Sequence, residues 1–103
     1  MDPDRIVFTS TVTLVSLKAL IWLIPGVNLS EGAVVATVIF TFGFHIGMMT
    51  IADSLTGQKT IRVVRSYGGV ERINRDDRLD YFLAMAGGIF WVFLGIVFVL
   101  LFW

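Results

Sequence analysis

From Tyr81 to Trp103 the chain runs for 23 residues without a single charge. As an α-helix rising about 1.5 Å per residue, the run reaches roughly 34 Å, enough to cross a hydrocarbon core of about 30 Å with some tilt. Aromatic residues flank it, Tyr81 and Phe82 at one end and Phe102 and Trp103 at the other, where two water interfaces would hold them. This run constrains the rest of the chain, because lipid offers no hydrogen-bond partners to an open backbone and leaves helices and closed barrels as the spanning forms. A hydrophobic share of 56% with 16% charged residues agrees, since a soluble domain of this size carries more charge.

Two further apolar segments make the expected fold an all-α integral membrane protein. It is a single membrane domain, residues 1–103, with spans at about 6–24, 33–53 and 81–103 and an extramembrane loop at 54–80. The first span is diluted by Thr9, Ser10, Thr11, Thr13 and Ser16 and interrupted by Lys18. Its β-branched residues would favour a strand in water, but a lone strand in lipid leaves its backbone unpaired. Pro25-Gly26 stops it. Ser30 or Asn28 can cap the second span, with Glu31 at the positive end of the helix dipole; Asp76, Asp77 or Asp80 can cap the third. The opening residues lack a basic region and no A-x-A-like site follows, which argues against a cleaved signal peptide.

Seven basic residues, Arg5, Lys59, Arg62, Arg65, Arg72, Arg75 and Arg78, fall on the side of the N-terminus and the 54–80 loop, and none falls in the turn 25–32. The positive-inside rule therefore places the N-terminus and the loop in the cytoplasm and the C-terminus on the opposite side of a cytoplasmic (inner) membrane. At 27 residues the loop is long for a compact helical protein. Thr60 to Tyr67 is rich in β-formers, Gly68-Gly69 can turn, and Val70 to Ile73 can return, which reads as a short hairpin. Two alternatives stay open: an amphipathic stretch with Arg62, Arg65, Arg72, Arg75 and Arg78 toward lipid phosphates or a docking partner, and a mobile solvated loop.

Gly43 and Gly47 form a small-residue pair on the second span, with Ala36 a heptad earlier on nearly the same face; Ala84, Gly88 and Gly95 offer a matching face on the third. Such faces let helix backbones approach closely in lipid, whether the partner is a helix of this chain, a second copy or another subunit. His45 lies between the glycines near mid-membrane and needs a partner there. It could be an axial ligand to a haem or chlorophyll-type macrocycle or a step in a proton path; the structural alternative is a neutral imidazole bonded to a backbone carbonyl or a Thr hydroxyl of a neighbouring helix. Lys18 lies about 10 Å from the far interface, a depth its stem can cover by snorkelling. An ion pair is the sharper reading for Lys18, although Asp53, at the other end of its span, is a poor partner. The aromatic residues Phe90, Trp91, Phe93, Phe98, Phe102 and Trp103 could line a pigment or simply meet lipid and neighbouring helices.

Cysteine is absent, which excludes disulfides, iron–sulfur clusters and thiolate metal sites. No Ser–His–Asp, HExxH, Walker or GxGxxG pattern is present. The stretch His45 to Asp53 bears a superficial similarity to the haem-binding anchor subunits of succinate dehydrogenase, over fewer than ten residues and with different spacing, and no ligand role follows from it. Class I phage holins resemble the chain in span count and size but typically end in a basic tail. The expectation is a small non-catalytic accessory or structural subunit of a larger membrane complex, with energy-transducing (respiratory or photosynthetic) complexes among the candidates. Its expected partners are lipid and other integral membrane subunits, with nucleic acid not among them. A self-assembling polypeptide (a holin-like pore, a pilin-like subunit or a virion membrane protein) and a cofactor carrier through His45 are the alternatives.

Overall fold

A computed structural model describes residues 2–26, 30–64 and 69–101. There are three helices, α1 (Pro3–Trp22), α2 (Glu31–Leu55) and α3 (Arg78–Leu100), and a hairpin of β1 (Thr60–Val64) and β2 (Val70–Asn74) joins the second to the third. All three helices are long and apolar enough to cross a membrane. The fold is thus mostly helical, with one small antiparallel sheet in the connection where the sequence suggested one. The expected turn at Gly68-Gly69 falls partly, and Arg65, Asn28, Phe102 and Trp103 fall wholly, outside the described residues.

Helix ends follow local chemistry. α1 begins three residues before the apolar run, because the Asp2 side chain accepts from the Asp4 N–H at 3.0 Å and Pro3 sits where a helix has no use for its missing N–H. Ser30 caps α2 by accepting from the Ala33 N–H at 3.1 Å. At the other end α2 runs through Asp53 to Leu55 and closes in a Schellman turn. There the Gln58 N–H donates to the Asp53 carbonyl at 3.1 Å and the Gly57 N–H to the Ser54 carbonyl at 3.3 Å. Gly57 supplies the required left-handed backbone at φ 75°. The turn reverses the chain, so that β1 folds back along the last turns of α2. α3 starts after Asp77, whose side chain makes no capping bond.

The polar first helix tolerates its surroundings by bonding to itself. Ser10 donates to the Ile6 carbonyl and Thr13 to the Thr9 carbonyl, each at 2.8 Å. The core sits where Leu14, Phe44 and Val99 meet, with Phe40, Met48, Val92 and Leu100 packed around them. Phe40 and Phe98 stack with ring centroids 4.5 Å apart. In the hairpin, Ile61 lies opposite Ile73, and both are buried. Strand periodicity puts one apolar pair on the inner face and frees the alternate residues for polar contacts.

Candidate functional site

The densest polar arrangement stands at the loop-side end of the bundle, and Asp53 is its centre. Asp53 lies in the last turn of α2 and is 2% exposed. A carboxylate there faces the negative end of the helix dipole, so burial requires a cation and donors. Arg62 supplies both. Its backbone N–H donates to Asp53 Oδ2 at 2.9 Å, its Nε to the same oxygen at 2.8 Å and its Nη2 to Oδ1 at 2.9 Å. The remaining Arg62 nitrogen, Nη1, reaches the exposed Asp4 of α1 at 2.7 Å. One guanidinium therefore ties α1, α2 and β1 together, with the planar fork that makes Arg suited to carboxylates. Its pKa is held above the ordinary value, first by the hydrogen bonds to Asp53, with Asp4 adding to them against the cost of partial burial.

Neighbouring groups extend the clamp. The Thr50 hydroxyl donates to the Arg62 carbonyl at 2.7 Å. Arg75, just after β2, donates to the backbone carbonyls of Gln58 and Ser54, and its guanidinium lies 5.6 Å from the centre of the Tyr81 ring. The Ser54 and Tyr81 hydroxyls bond to each other, joining α2 to the first turn of α3. Both oxygens of Asp53 are occupied by Arg62, so the arrangement is built to hold the hairpin against the helix ends rather than to move protons.

The small residues singled out from sequence meet within the chain. A Cβ on Gly47 would lie 2.5 Å from the Gly88 carbonyl oxygen, and one on Gly95 would lie 2.6 Å from the Phe44 Cβ and 3.0 Å from the Phe40 carbonyl oxygen. Gly43 faces the Trp91 ring, 2.6 Å from where its Cβ would stand. Gly43, Gly47, Gly88 and Gly95 are thus the α2–α3 seam. Ala36 is half-buried nearer the far end of α2. Ala84 is instead part of a slot of about 210 Å³ between α2, α3 and the hairpin, whose lining includes Gly47, Thr50, Val63, Gly87 and Asp80.

His45 Nδ1 lies 3.2 Å from the Thr11 hydroxyl of α1, the oxygen donating or accepting according to the tautomer. This is the neighbouring-helix threonine bond named above as the structural alternative, and an axial-ligand role would fall to Nε2. Lys18 is buried, its ammonium 5.4 Å from the Trp22 ring centre one turn toward the far end. Of the arginines, Arg62 and Arg75 are engaged in the clamp, while Arg72 and Arg78 are exposed. The sequence pattern gave no clamp role to Asp4, Asp53, Thr50, Ser54 or Tyr81 and no slot role to Gly87. For Asp53 a signal existed: an acid in the last turn of an apolar helix needs a cation, and the basic loop follows directly.

Comparison with known protein families, with curated proteins and with solved structures finds no match.

Proposed function

We propose that this chain is a small non-catalytic subunit of a larger membrane assembly. In this reading it sits in a cytoplasmic membrane with its N-terminus and hairpin on the cytoplasmic side and its C-terminus opposite. The orientation draws on the seven basic residues at the loop side against none in the turn 25–32. One observation carries the subunit reading: no more than 28% of any span is buried within the chain. Phe42, Phe82 and Phe93, each more than 60% exposed, stand out from the bundle. Three helices with so thin a core leave most of their surface to lipid or to neighbouring protein. Asp53, Arg62, Thr50, Arg75, Ser54 and Tyr81 are engaged with one another or with nearby backbone, which gives them the task of fixing the hairpin.

Purification in mild detergent from the native membrane, with mass spectrometry and a visible spectrum of the same fraction, tests the reading. A stoichiometric larger complex is the expected result. A preparation of this chain alone would overturn it. An absorption band lost on His45→Ala would shift the reading to a cofactor carrier.

A further inference from the structure

We propose that the face of α1 bearing Arg5 and Phe8 docks into the slot of a second copy of this chain, with Arg5 of one copy paired to Asp80 of the next. This goes beyond the subunit reading, because it names the occupant of one surface and requires no foreign chain.

The slot limits what can fill it. Its volume of about 210 Å³ lies below the roughly 300–1,000 Å³ of small-molecule pockets, too little for a macrocycle and suited to one large apolar side chain. Its wall includes Gly87, where an added Cβ would meet nothing within 4 Å. The lining also carries the exposed carboxylate of Asp80, at the loop-side start of α3. Asp77 lies against it, and among the described residues no cation stands within ion-pair distance of either. A lipid phosphate would be repelled at this rim and a cation drawn to it.

The first helix offers the complement. Arg5 is exposed and has no ion pair among the described residues. Phe8 follows on the same face and is 69% exposed, and Val12 and Val15 continue the stripe at helical spacing. A cation ends one apolar face and a carboxylate ends the other.

Their depths agree. Asp4 bonds to the guanidinium that holds Asp53, and Tyr81 bonds to Ser54, so α1 and α3 both begin beside the last turn of α2. Arg5 and Asp80 therefore lie at one level. Phe8 stands roughly 4.5 Å deeper than Arg5, and Ala84 and Gly87 roughly 6–10 Å deeper than Asp80. The long Arg5 side chain covers the difference by reaching back toward water. Copies inserted with one orientation are related by rotation about the membrane normal, so that α1 of one runs parallel to α3 of the next. The contact joins two different faces and passes on from copy to copy.

The absence of cysteine makes the test direct. Phe8→Cys and Gly87→Cys change an exposed side chain and an open position, and both leave the fold free of clashes. Chains carrying one substitution each are co-expressed in their native membrane and oxidised with copper phenanthroline. The expected result is a dimer cross-linked between position 8 of one chain and position 87 of the other. A chain carrying both substitutions should give a ladder of higher species. Asp80→Arg should lower the yield by about tenfold or more, as like charges meet at the contact, and adding Arg5→Asp should restore it. Ile89→Cys, exposed on the opposite face of α3 and only about 3 Å deeper than position 87, is the control for random collision. Cross-linking of the Phe8→Cys chain to that control as readily as to the Gly87→Cys chain would overturn the proposal. So would the absence of any cross-link, a foreign chain joined at position 87, or a yield indifferent to the charge swap. Foreign subunits recovered without a bond between positions 8 and 87 would leave the subunit reading standing and remove this one alone.

Discussion

Helices α2 and α3 approach most closely where side chains are absent, whereas α1 and the hairpin are tied to the bundle by polar groups as well as by apolar contacts. Along the α2–α3 seam, Gly47 faces the Gly88 backbone, and Gly95 admits Phe44. Close backbone approach there yields many weak contacts, the form of attraction that lipid does not supply elsewhere. α1 is joined at its start through Asp4 and Arg62 and midway through Thr11 and His45. Steric fit tolerates no added atom; a hydrogen-bonded pair tolerates many neighbours but not the loss of one member. The two attachments should therefore fail in different ways.

The largest expected effect lies on the polar side. Asp53→Ala leaves the Arg62 guanidinium with only the exposed Asp4 and should cost about 3 kcal/mol, the lower end of the range for breaking a buried pair. The hairpin should become sensitive to trypsin at Lys59 and Arg62 while the three spans remain inserted; a hairpin as resistant as before would remove the clamp from the account. Next comes a contrast between two identical substitutions. Gly47→Ala places a methyl against a backbone oxygen that cannot yield, and should lower stability in detergent by about 1–3 kcal/mol. Gly87→Ala adds the same methyl in open space and should be neutral or raise stability by up to about 1 kcal/mol through helix propensity. Equal effects at the two positions would dissolve the distinction between seam and slot.

Smaller changes sharpen it further. Thr11→Val removes the hydroxyl that meets His45 and should cost about 0.6 kcal/mol, the average for a hydrogen bond between membrane helices. A loss several times larger would show that α1 depends on this bond more than on Leu14 and its apolar neighbours. The least effect belongs to Asp77. Its carboxyl is raised above the usual carboxylate range by the hydrogen bond to Asp80 and that group's charge. A raised folded value favours the protonated form, so the folded state gains as pH falls through that value. The repulsion is fully present above it. Asp77→Asn should flatten this acid-side dependence of thermal stability. An unchanged profile would count against the Asp77–Asp80 contact.

Much of the architecture was legible in the residues. Apolar runs of helical length marked three helices, Pro25 and Ser30 marked two of their ends, and the β-rich stretch around Gly69 marked the hairpin. The glycines were recognisable as a packing face but not as an internal one, because the same spacing serves a neighbouring helix of one chain or of another. Asp53 was readable as an acid in need of a cation but not as the partner of Arg62, which comes nine residues later and reaches it only after the turn at Gly57. Gly87 gave no sign at all, as nothing in its local sequence separates it from Gly88.

Composition and the length of the apolar runs were enough to determine three helices long and apolar enough to cross a membrane, because a backbone in hydrocarbon has so few solutions. The choice among contacts was made only in the tertiary structure. It sends Gly88 into the seam and leaves Gly87 open, and it turns Arg62 inward to Asp53 while Arg72 stays outside. It also gives His45 a threonine. These outcomes depend on rotation and depth of one helix against another, and a spacing along one helix constrains neither without the partner's surface.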